Sequence, residues 1–426
     1  MSIDKQAAGA AVKLAEADFA ADRRVHDVPS ALRDYWARVR SGDLGALPAI
    51  LGLAGLVVLF TALRPETFLS ERNIANLFTQ ALPVTILAMG LVFVLLLGEI
   101  DLSAGVASGV CGAVMANLMV DAGQPWYVAV LSAVATGIII GTAIGWLVAV
   151  VRIPSFVVTL ALFLGLQGIT LRLIGEGGTV PVRDDVIVAL ANKNMPVWLG
   201  WTLAVTCAAV YGALQLWRWK RQHDRGLASK PVQLVIAQVA VVAAALLFGT
   251  YLLSLDRAPS PLVTLAGIPW GVPLVGVLLI VATFVLGRTA YGRHLYAIGG
   301  NAEAARRAGI NVTRLRMSVF MICSALAAVA GIVAASRLNS ITPDAGAGNT
   351  LLYAVGAAVI GGTSLFGGRG RARDAVLGGL VVATIENGLG LLGAKAYANL
   401  LITGGVLLLA ASIDALARRR RAVAGR

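Results

Sequence analysis

Residues 80–97 read QALPVTILAMGLVFVLLL, and after the short stretch GEID the chain continues at 102–120 with LSAGVASGVCGAVMANLMV. Apolar runs of about this length approach the ~20 residues that a helix needs to cross a bilayer. Similar runs occur at about 44–63, 126–151, 154–171, 197–217, 231–253, 272–287, 317–336, 351–366, 374–393 and 397–416. We therefore predict an all-α, polytopic membrane helical bundle, because helices satisfy their own backbone hydrogen bonds in lipid. The alternating ten-residue segments of a membrane barrel are absent from the sequence.

The composition agrees with this class. The chain has 426 residues, of which 58% are hydrophobic and only 13% are charged, whereas a soluble domain carries about 25% charged residues. The three cysteines, Cys111, Cys207 and Cys323, lie inside apolar runs and are predicted to be small core residues. The three histidines are scattered, so no catalytic set, metal site or cofactor is expected.

Two of the twelve runs are weaker candidates for membrane crossings, so the predicted number of crossings is a range. The run at 102–120 is rich in small residues, and the run at 351–366 is short and ends in a glycine cluster. We therefore predict ten to twelve transmembrane segments in a domain spanning 44–416. An arm at 1–43 precedes this domain and a basic tail at 417–426 follows it.

The net charge of +13 has two explanations, a nucleic-acid partner or the excess of basic residues in the cytoplasmic loops of membrane proteins. With twelve crossings and a cytoplasmic N-terminus, 27 of the 35 Lys and Arg residues fall on the inside. Such a split is typical of the positive-inside rule. We predict that both termini are cytoplasmic, that the lipid bilayer is the surrounding partner and that no nucleic acid is bound.

Four side chains are candidates for a translocation path. Asp101, in the stretch GEIDLS at 98–103, is near bilayer depth, where a carboxylate usually has a function; the alternatives are a plain turn and an N-cap of the next helix. Ser155 and Thr159 lie on one helix face, where they would contact a hydroxylated solute or bond to another helix. Asn387 follows Glu386 in the middle of an apolar run.

The stretch GGTSLFGGRGRAR at 361–373 is rich in glycine and arginine. It does not form a nucleotide-binding loop, because no Gly-Lys dipeptide occurs anywhere in the chain. We predict a flexible or re-entrant backbone, with no assigned role for Arg369, Arg371 and Arg373. The runs GVASG at 105–109 and GTAIG at 141–145 are predicted to be packing faces.

A polar helix interrupts the apolar chain at GGNAEAARRAGIN, residues 299–311. Asn301 is predicted to cap it, Glu303 lies in its first turn, and Gly309 ends it. The charge distribution places this helix in the cytoplasm. Its small residues and charged edges favour docking onto another protein, and the alternative is a helix that only connects two spans.

These residues carry a resemblance. The pattern Y-A-I-G-G-N-x-E-A-A-R-x-x-G-I-N-V at 296–312 resembles the cytoplasmic coupling loop, here 288–316, of permease subunits of bacterial sugar ABC importers. Those subunits belong to the ribose, xylose and branched-chain amino acid permease superfamily. The motifs E-I-D-L-S-x-G, I-P-S-F-V-V-T-L, V-I-G-G-T-S-L-x-G-G and E-N-G are similar to the same family in the same order, over about 70–420. The additional segment at 197–253 resembles the xylose type, whereas the arginines at 369–373 depart from the family pattern.

The resemblance implies a transport subunit of the bacterial inner membrane without enzymatic activity of its own. It implies three partners: an ABC ATPase subunit, a periplasmic sugar-binding protein and a second copy of the permease. The substrate would be xylose or a related monosaccharide. The residues expected to couple to the ATPase are Gly300, Asn301, Glu303, Ala304 and Arg307. Two alternatives are an importer permease for another solute, such as ribose, a sugar alcohol or an autoinducer, and an ion-coupled secondary transporter.

Overall fold

The computed structural model describes residues 28–40, 45–226, 231–258 and 264–423. Most of the predicted arm, 1–27 and 41–43, and the end of the predicted tail, 424–426, therefore lie outside the described residues. The described helices, in chain order, are α1 (Val28–Arg40), α2 (Leu47–Leu63), α3 (Pro65–Phe68), α4 (Glu71–Leu96), α5 (Ala104–Val120), α6 (Trp126–Ala149), α7 (Ser155–Ile174), α8 (Asp185–Asn192), α9 (Val197–Asp224), α10 (Val232–Ser254), α11 (Gly271–Arg288), α12 (Ala290–Gly300), α13 (Ala302–Arg307), α14 (Val312–Leu338), α15 (Thr350–Gly361), α16 (Ala372–Leu391) and α17 (Ala396–Val423).

Each predicted apolar run forms a helix. Eight helices are long and apolar enough to cross a membrane: α4, α6, α7, α9, α10, α11, α14 and α16. Four shorter apolar helices are α2, α5, α15 and the first part of α17, Ala396–Val406. Two of these, α5 and α15, correspond to the two weaker runs at 102–120 and 351–366. The predicted polytopic helical bundle is confirmed, while the exact count of crossings and the cytoplasmic location of the termini stay predictions.

The chain divides into two compact units. The first contains residues 1–43 and 197–254, and within it α9 packs against α10. The hydroxyl of Tyr211 on α9 accepts hydrogen bonds from the amides of Gln215, at 3.0 Å, and of Gln238 on α10, at 2.9 Å. The second unit contains residues 44–196 and 255–426 and holds all the candidate site residues.

The centre of the second unit is formed by α4 and α14. Between Leu82 and Leu97 every residue except Pro83 is buried, and α14 packs against α6, α4 and α5. A helix that is apolar on all sides lies inside a bundle, whereas outer helices direct apolar side chains to the lipid. Accordingly, α6, α7 and α11 expose large apolar side chains such as Leu131, Leu164 and Ile280.

Small residues let the central helices approach closely. Gly137, Gly141 and Gly145 recur every four residues on α6 and face the backbone of α14 without room for a β-carbon. Gly105 and Gly109 on α5 similarly face the carbonyl groups of Gly346 and Ala345. Both predicted packing faces are confirmed.

The cysteines follow the prediction only in the second unit. Cys111 on α5 and Cys323 on α14 are buried, whereas Cys207 is exposed on α9. The prediction that Cys207 is a core residue is wrong, because α9 belongs to the smaller unit and has few buried positions.

One small sheet joins the segment after α7 to the end of α14. Strands β1 (Val180–Pro181) and β2 (Ser340–Ile341) pair antiparallel, with Val180 opposite Ile341. Together with α8, which also packs on α14, this sheet closes one end of the second unit.

Candidate functional site

The segment predicted to couple to a partner, called the coupling segment from here on, is formed by α12, α13 and the residues that follow them to Asn311. Asn301 separates the two helices in an extended conformation and caps α13: its Oδ1 accepts hydrogen bonds from the backbone N–H of Glu303, at 3.0 Å, and of Ala304, at 2.9 Å. Gly309 follows α13 with φ of +83°, a conformation that glycine adopts without strain. The predicted cap and the predicted end of the helix are both confirmed.

The outward face of α13 carries charge. The carboxylate of Glu303 lies 2.8 Å from Nη1 of Arg306 and 3.3 Å from Nε of Arg307. All three side chains are more than half exposed, and exposed ion pairs contribute only ~0–1 kcal/mol to stability. These charges are therefore available to a partner protein.

One face of α13 is buried and the other is open. Ala305 is buried against the bundle. The five residues predicted to couple, Gly300, Asn301, Glu303, Ala304 and Arg307, are all exposed. The structure thus brings the predicted coupling residues together on one accessible surface.

The coupling segment is held tightly to the bundle at Gly299. A β-carbon at this position would collide with the carbonyl oxygen of Leu96 at the end of α4 and with the N–H of Gly368. That same N–H of Gly368 donates to the Leu96 carbonyl at 2.8 Å. Three segments therefore meet: the end of α4, the end of α12 and the loop between α15 and α16.

Tyr296 adds a second connection to that loop. Its hydroxyl donates to the carbonyl of Gly370 at 2.7 Å. Burial raises the pKa of Tyr296, although the positive charge of Arg371 lowers it in part. The phenol therefore stays protonated near neutral pH and keeps its role as a donor.

The glycine-rich loop, residues 362–371, is fixed at its base by Asp374. One carboxylate oxygen of Asp374 accepts from the backbone N–H of Arg371 at 2.7 Å, and the N–H of Ser364 donates to the carbonyl of Arg369 at 2.9 Å. The sequence predicts only a flexible or re-entrant backbone here. Its packing role was missed, and the available signal was the matching Gly-Gly pairs at 299–300 and 367–368.

The four predicted path residues are buried. Oδ1 of Asp101 accepts from the backbone N–H of Ser103 at 2.9 Å and from its hydroxyl at 2.6 Å. The N-cap position of α5 is occupied by Ser103, so the prediction that Asp101 is itself the N-cap is wrong. Instead, Asp101 shapes the turn that leads into α5.

Ser155 and Thr159 hold the same turn from α7. The hydroxyl of Ser155 accepts from the N–H of Ile100 at 3.4 Å. The hydroxyl of Thr159 donates to the carbonyl of Ser155 at 2.8 Å. These bonds run to the turn at Ile100 and within α7, not between two helices, and the contribution of both residues to a path stays a prediction.

A polar cavity of about 640 Å³ lies at the other end of α4. Its volume falls within the range of small-molecule sites. With about 1.5 Å per residue, the 26 residues of α4 separate it from the coupling segment by roughly 39 Å. Amide, guanidinium and hydroxyl side chains dominate the lining, among them Asn73, Asn76, Asn192, Asn194, Arg72, Arg257, Ser70 and Thr79.

We call this cavity, at the end of α4 away from the coupling segment, the outer cavity. Asn387 adjoins it through Asn73. The two side-chain amides exchange hydrogen bonds of 2.8 Å in both directions. Both residues lie near the cavity end of their helices. Asn387 is in the last two turns of α16, so the prediction that it lies in the middle of the apolar run is wrong. The sequence reasoning missed Asn73 because its partner is 314 residues away.

The neighbouring acid Glu386 is compensated inside the protein. Its carboxylate lies within electrostatic range of the guanidinium of Arg337 on α14 and is hydrogen-bonded to the hydroxyl of Tyr353 on α15. A nearby opposite charge is usual for an ionisable residue inside a membrane bundle. Among the described residues, no group of three His, Cys, Asp or Glu side chains is placed to hold a metal ion.

Comparison with known proteins agrees with this arrangement. Residues 73–411 match the family described as branched-chain amino acid transport system / permease component. The xylose transport system permease protein of Escherichia coli strain K12 is 35% identical over 386 residues, covering 90% of this chain and 94% of that protein. The corresponding protein of Haemophilus influenzae is 35% identical over 380 residues, covering 88% and 98%.

The ribose import permease protein of E. coli K12 is 31% identical over 369 residues, covering 86% of this chain and 92% of that protein. No solved structure matches the chain significantly. A permease component is one part of a transport system, so the chain acts with partner subunits, and the expectation that it is not an enzyme is confirmed. It is a multi-pass membrane protein that belongs to the family of permease components of branched-chain amino acid transport systems.

Proposed function

We propose that this chain forms the translocation pathway of an ATP-driven importer for xylose or a related monosaccharide in the bacterial inner membrane. The observation that carries the proposal is the exposed, capped helix α13. It follows directly after α12, whose Gly299 packs against the end of α4 without room for a β-carbon. The family assignment supports it. Relatives named for xylose, ribose and allose transport make a monosaccharide the favoured substrate.

The ATPase subunit docks on the exposed face of α13. Gly300 has no atom near the position of a β-carbon, which leaves room for a partner side chain, and Glu303 and Arg307 supply charge. Because Gly299 touches both Leu96 and Gly368, a displacement of this face reaches α4 and the loop between α15 and α16 together. Coupling of ATP hydrolysis to the bundle follows from this contact.

A periplasmic sugar-binding protein delivers the solute at the outer cavity. Side-chain amides both donate and accept hydrogen bonds, so they match the hydroxyl groups of a neutral sugar. Asn73 and Asn387 connect the cavity to the interior of the bundle. Asp101, Ser155, Thr159 and Asn387 remain our candidates for the path, and a second copy of the permease completes it.

The sidedness of the proposal rests on charge. The coupling segment carries Arg306 and Arg307 and faces the arginines at 369–373, so the positive-inside rule favours the cytoplasm for this end. The outer cavity at the other end of α4 then faces the periplasm.

The proposal is tested by reconstituting the chain with its ATPase and binding protein in proteoliposomes. We expect uptake of labelled xylose that requires ATP and the binding protein and that a hydrolysis-deficient ATPase abolishes. Competition with ribose, allose, a sugar alcohol and an autoinducer identifies the preferred solute. Uptake driven by an ion gradient without ATP would contradict the proposal and support the secondary transporter.

A further inference from the structure

A second cavity, of about 330 Å³, lies on the coupling side of the bundle. It is bounded by the GEID turn, the turn between α6 and α7, and the start of α14. Its charged lining consists of Glu99, Arg152, Arg306 and Arg316, and hydroxyl groups of Ser155 and Thr313 complete the polar wall.

The lining has an excess of positive charge. Nε of Arg316 lies 2.9 Å from Oε1 of Glu99, and both side chains are largely buried. Arg306 pairs with Glu303 on its outer side. Arg152 has no salt-bridge partner among the residues that the structure describes. The lining therefore holds three guanidinium groups and one carboxylate, and the second carboxylate, that of Glu303, lies outside it. Arg152 is exposed and, within the described part of the chain, brings a positive charge without an ion pair of its own.

The backbone of Arg152 is also unusual. Its φ of +69° lies in the left-handed region, which within the described residues only one other non-glycine residue, Asn339, adopts. Asparagine tolerates this conformation, whereas a long side chain such as arginine adopts it with strain. Such outliers are concentrated at functional sites. The backbone of Arg152 is therefore strained at the edge of this cavity.

The cavity opens beside the lipid-facing surface. Val150 and Val151 precede Arg152 with half-exposed apolar side chains, and Phe156 and Leu160 continue this apolar surface along α7. A soluble anion needs only the guanidinium groups. A ligand that combines a phosphate with acyl chains uses the polar wall and the apolar surface together.

We propose that this cavity binds the phosphate of an anionic phospholipid headgroup, with the acyl chains along Phe156 and Leu160 of α7. Arginine suits phosphate because its planar guanidinium donates two parallel hydrogen bonds. Basic pockets between transmembrane helices on the cytoplasmic side bind anionic headgroups in this way. Because Arg306 lies on α13, an occupied cavity also supports the coupling segment.

The test uses the full chain purified in nanodiscs of phosphatidylcholine. Short-chain phosphatidylglycerol, short-chain phosphatidylcholine and inorganic phosphate are titrated onto the wild type, Arg152→Gln and Phe156→Ala. The control is Arg293→Gln, which removes an exposed arginine from α12, outside the cavity. Thermal unfolding of each variant establishes that it is folded.

We expect phosphatidylglycerol to bind the wild type in preference to phosphatidylcholine. Loss of a charge-assisted hydrogen bond of about 1.5–3 kcal/mol corresponds to at least a tenfold loss of affinity in Arg152→Gln, while Arg293→Gln stays unchanged. Phe156→Ala weakens binding of the lipid and leaves inorganic phosphate unaffected.

Three results would overturn the proposal. The first is equal binding of phosphatidylglycerol to Arg152→Gln and the wild type. The second is a Phe156→Ala variant that binds the lipid normally, which assigns the cavity to a soluble anion. The third is loss of ATPase binding in Arg152→Gln with intact lipid binding, which assigns the cavity to a protein contact.

Discussion

Gly299 on α12 lies against the carbonyl oxygen of Leu96 on α4 so closely that no β-carbon fits between them. The contact joins the coupling segment directly to α4, whose second half lies inside the bundle. A movement of α13 therefore cannot be absorbed by a flexible connection at this point.

Gly299→Ala is expected to destabilise the protein, because the added methyl group collides with backbone atoms of Leu96 and Gly368. Inserting a methyl group into a packed site costs about 1–3 kcal/mol. Gly300→Ala is the matched control, since no atom lies within 4 Å of its β-carbon position. Unfolding midpoints measured in the same detergent check the difference, and equal midpoints for the two variants would contradict the close packing.

Glu303→Arg is expected to abolish ATP-driven uptake while leaving the fold intact. The ion pairs of Glu303 with Arg306 and Arg307 are exposed and contribute at most about 1 kcal/mol, so stability changes little. The reversed charge instead repels the partner surface that Glu303 complements. Copurification with the ATPase and labelled sugar uptake measure the effect.

The control for that variant is Glu66→Arg on α3, an exposed acid at the other end of the bundle. It carries the same change of charge and is expected to keep its ATPase. Full uptake by the Glu303→Arg variant would exclude α13 as the coupling contact.

Asn301→Ala is expected to loosen α13 by removing the acceptor for the N–H groups of Glu303 and Ala304. Loss of such a cap costs about 0.5–2 kcal/mol. Asn301→Asp keeps the acceptor and should restore both the helix and uptake. Hydrogen exchange of residues 302–307 reports the local effect, and unchanged protection in the alanine variant would show that the cap is dispensable.

The sequence predicts what local chemistry determines. Asn301 caps α13 because its partners are two and three residues away, and each apolar run forms a helix because its length matches a bilayer. The positions of Gly299 and Gly368 relative to each other are not local. They depend on how α4, α12 and the loop 362–371 pack together, which no single stretch of sequence determines.

Two buried polar groups show the same limit. The sequence singles out Asp101 as an unusual acid, but the hydrogen bonds that its carboxylate accepts from the N–H and hydroxyl of Ser103, which shape the turn into α5, are visible only in the structure. Asn387 was found without Asn73, because an asparagine at the start of α4 has no distinguishing pattern of its own. The outer cavity was missed entirely, since its lining comes from four separate segments.

The pair of Asn73 and Asn387 offers the sharpest test of the path. Replacing either residue by leucine leaves the other amide buried without its partner, which costs about 1–3 kcal/mol. The double variant removes both polar groups, so its loss of stability should be smaller than the sum of the two single losses, as a double-mutant cycle measures. If the amides also contact the sugar, uptake stays impaired in the double variant although its unfolding midpoint recovers. A double variant that recovers both stability and uptake would leave the pair a purely structural role and would remove Asn387 from the path.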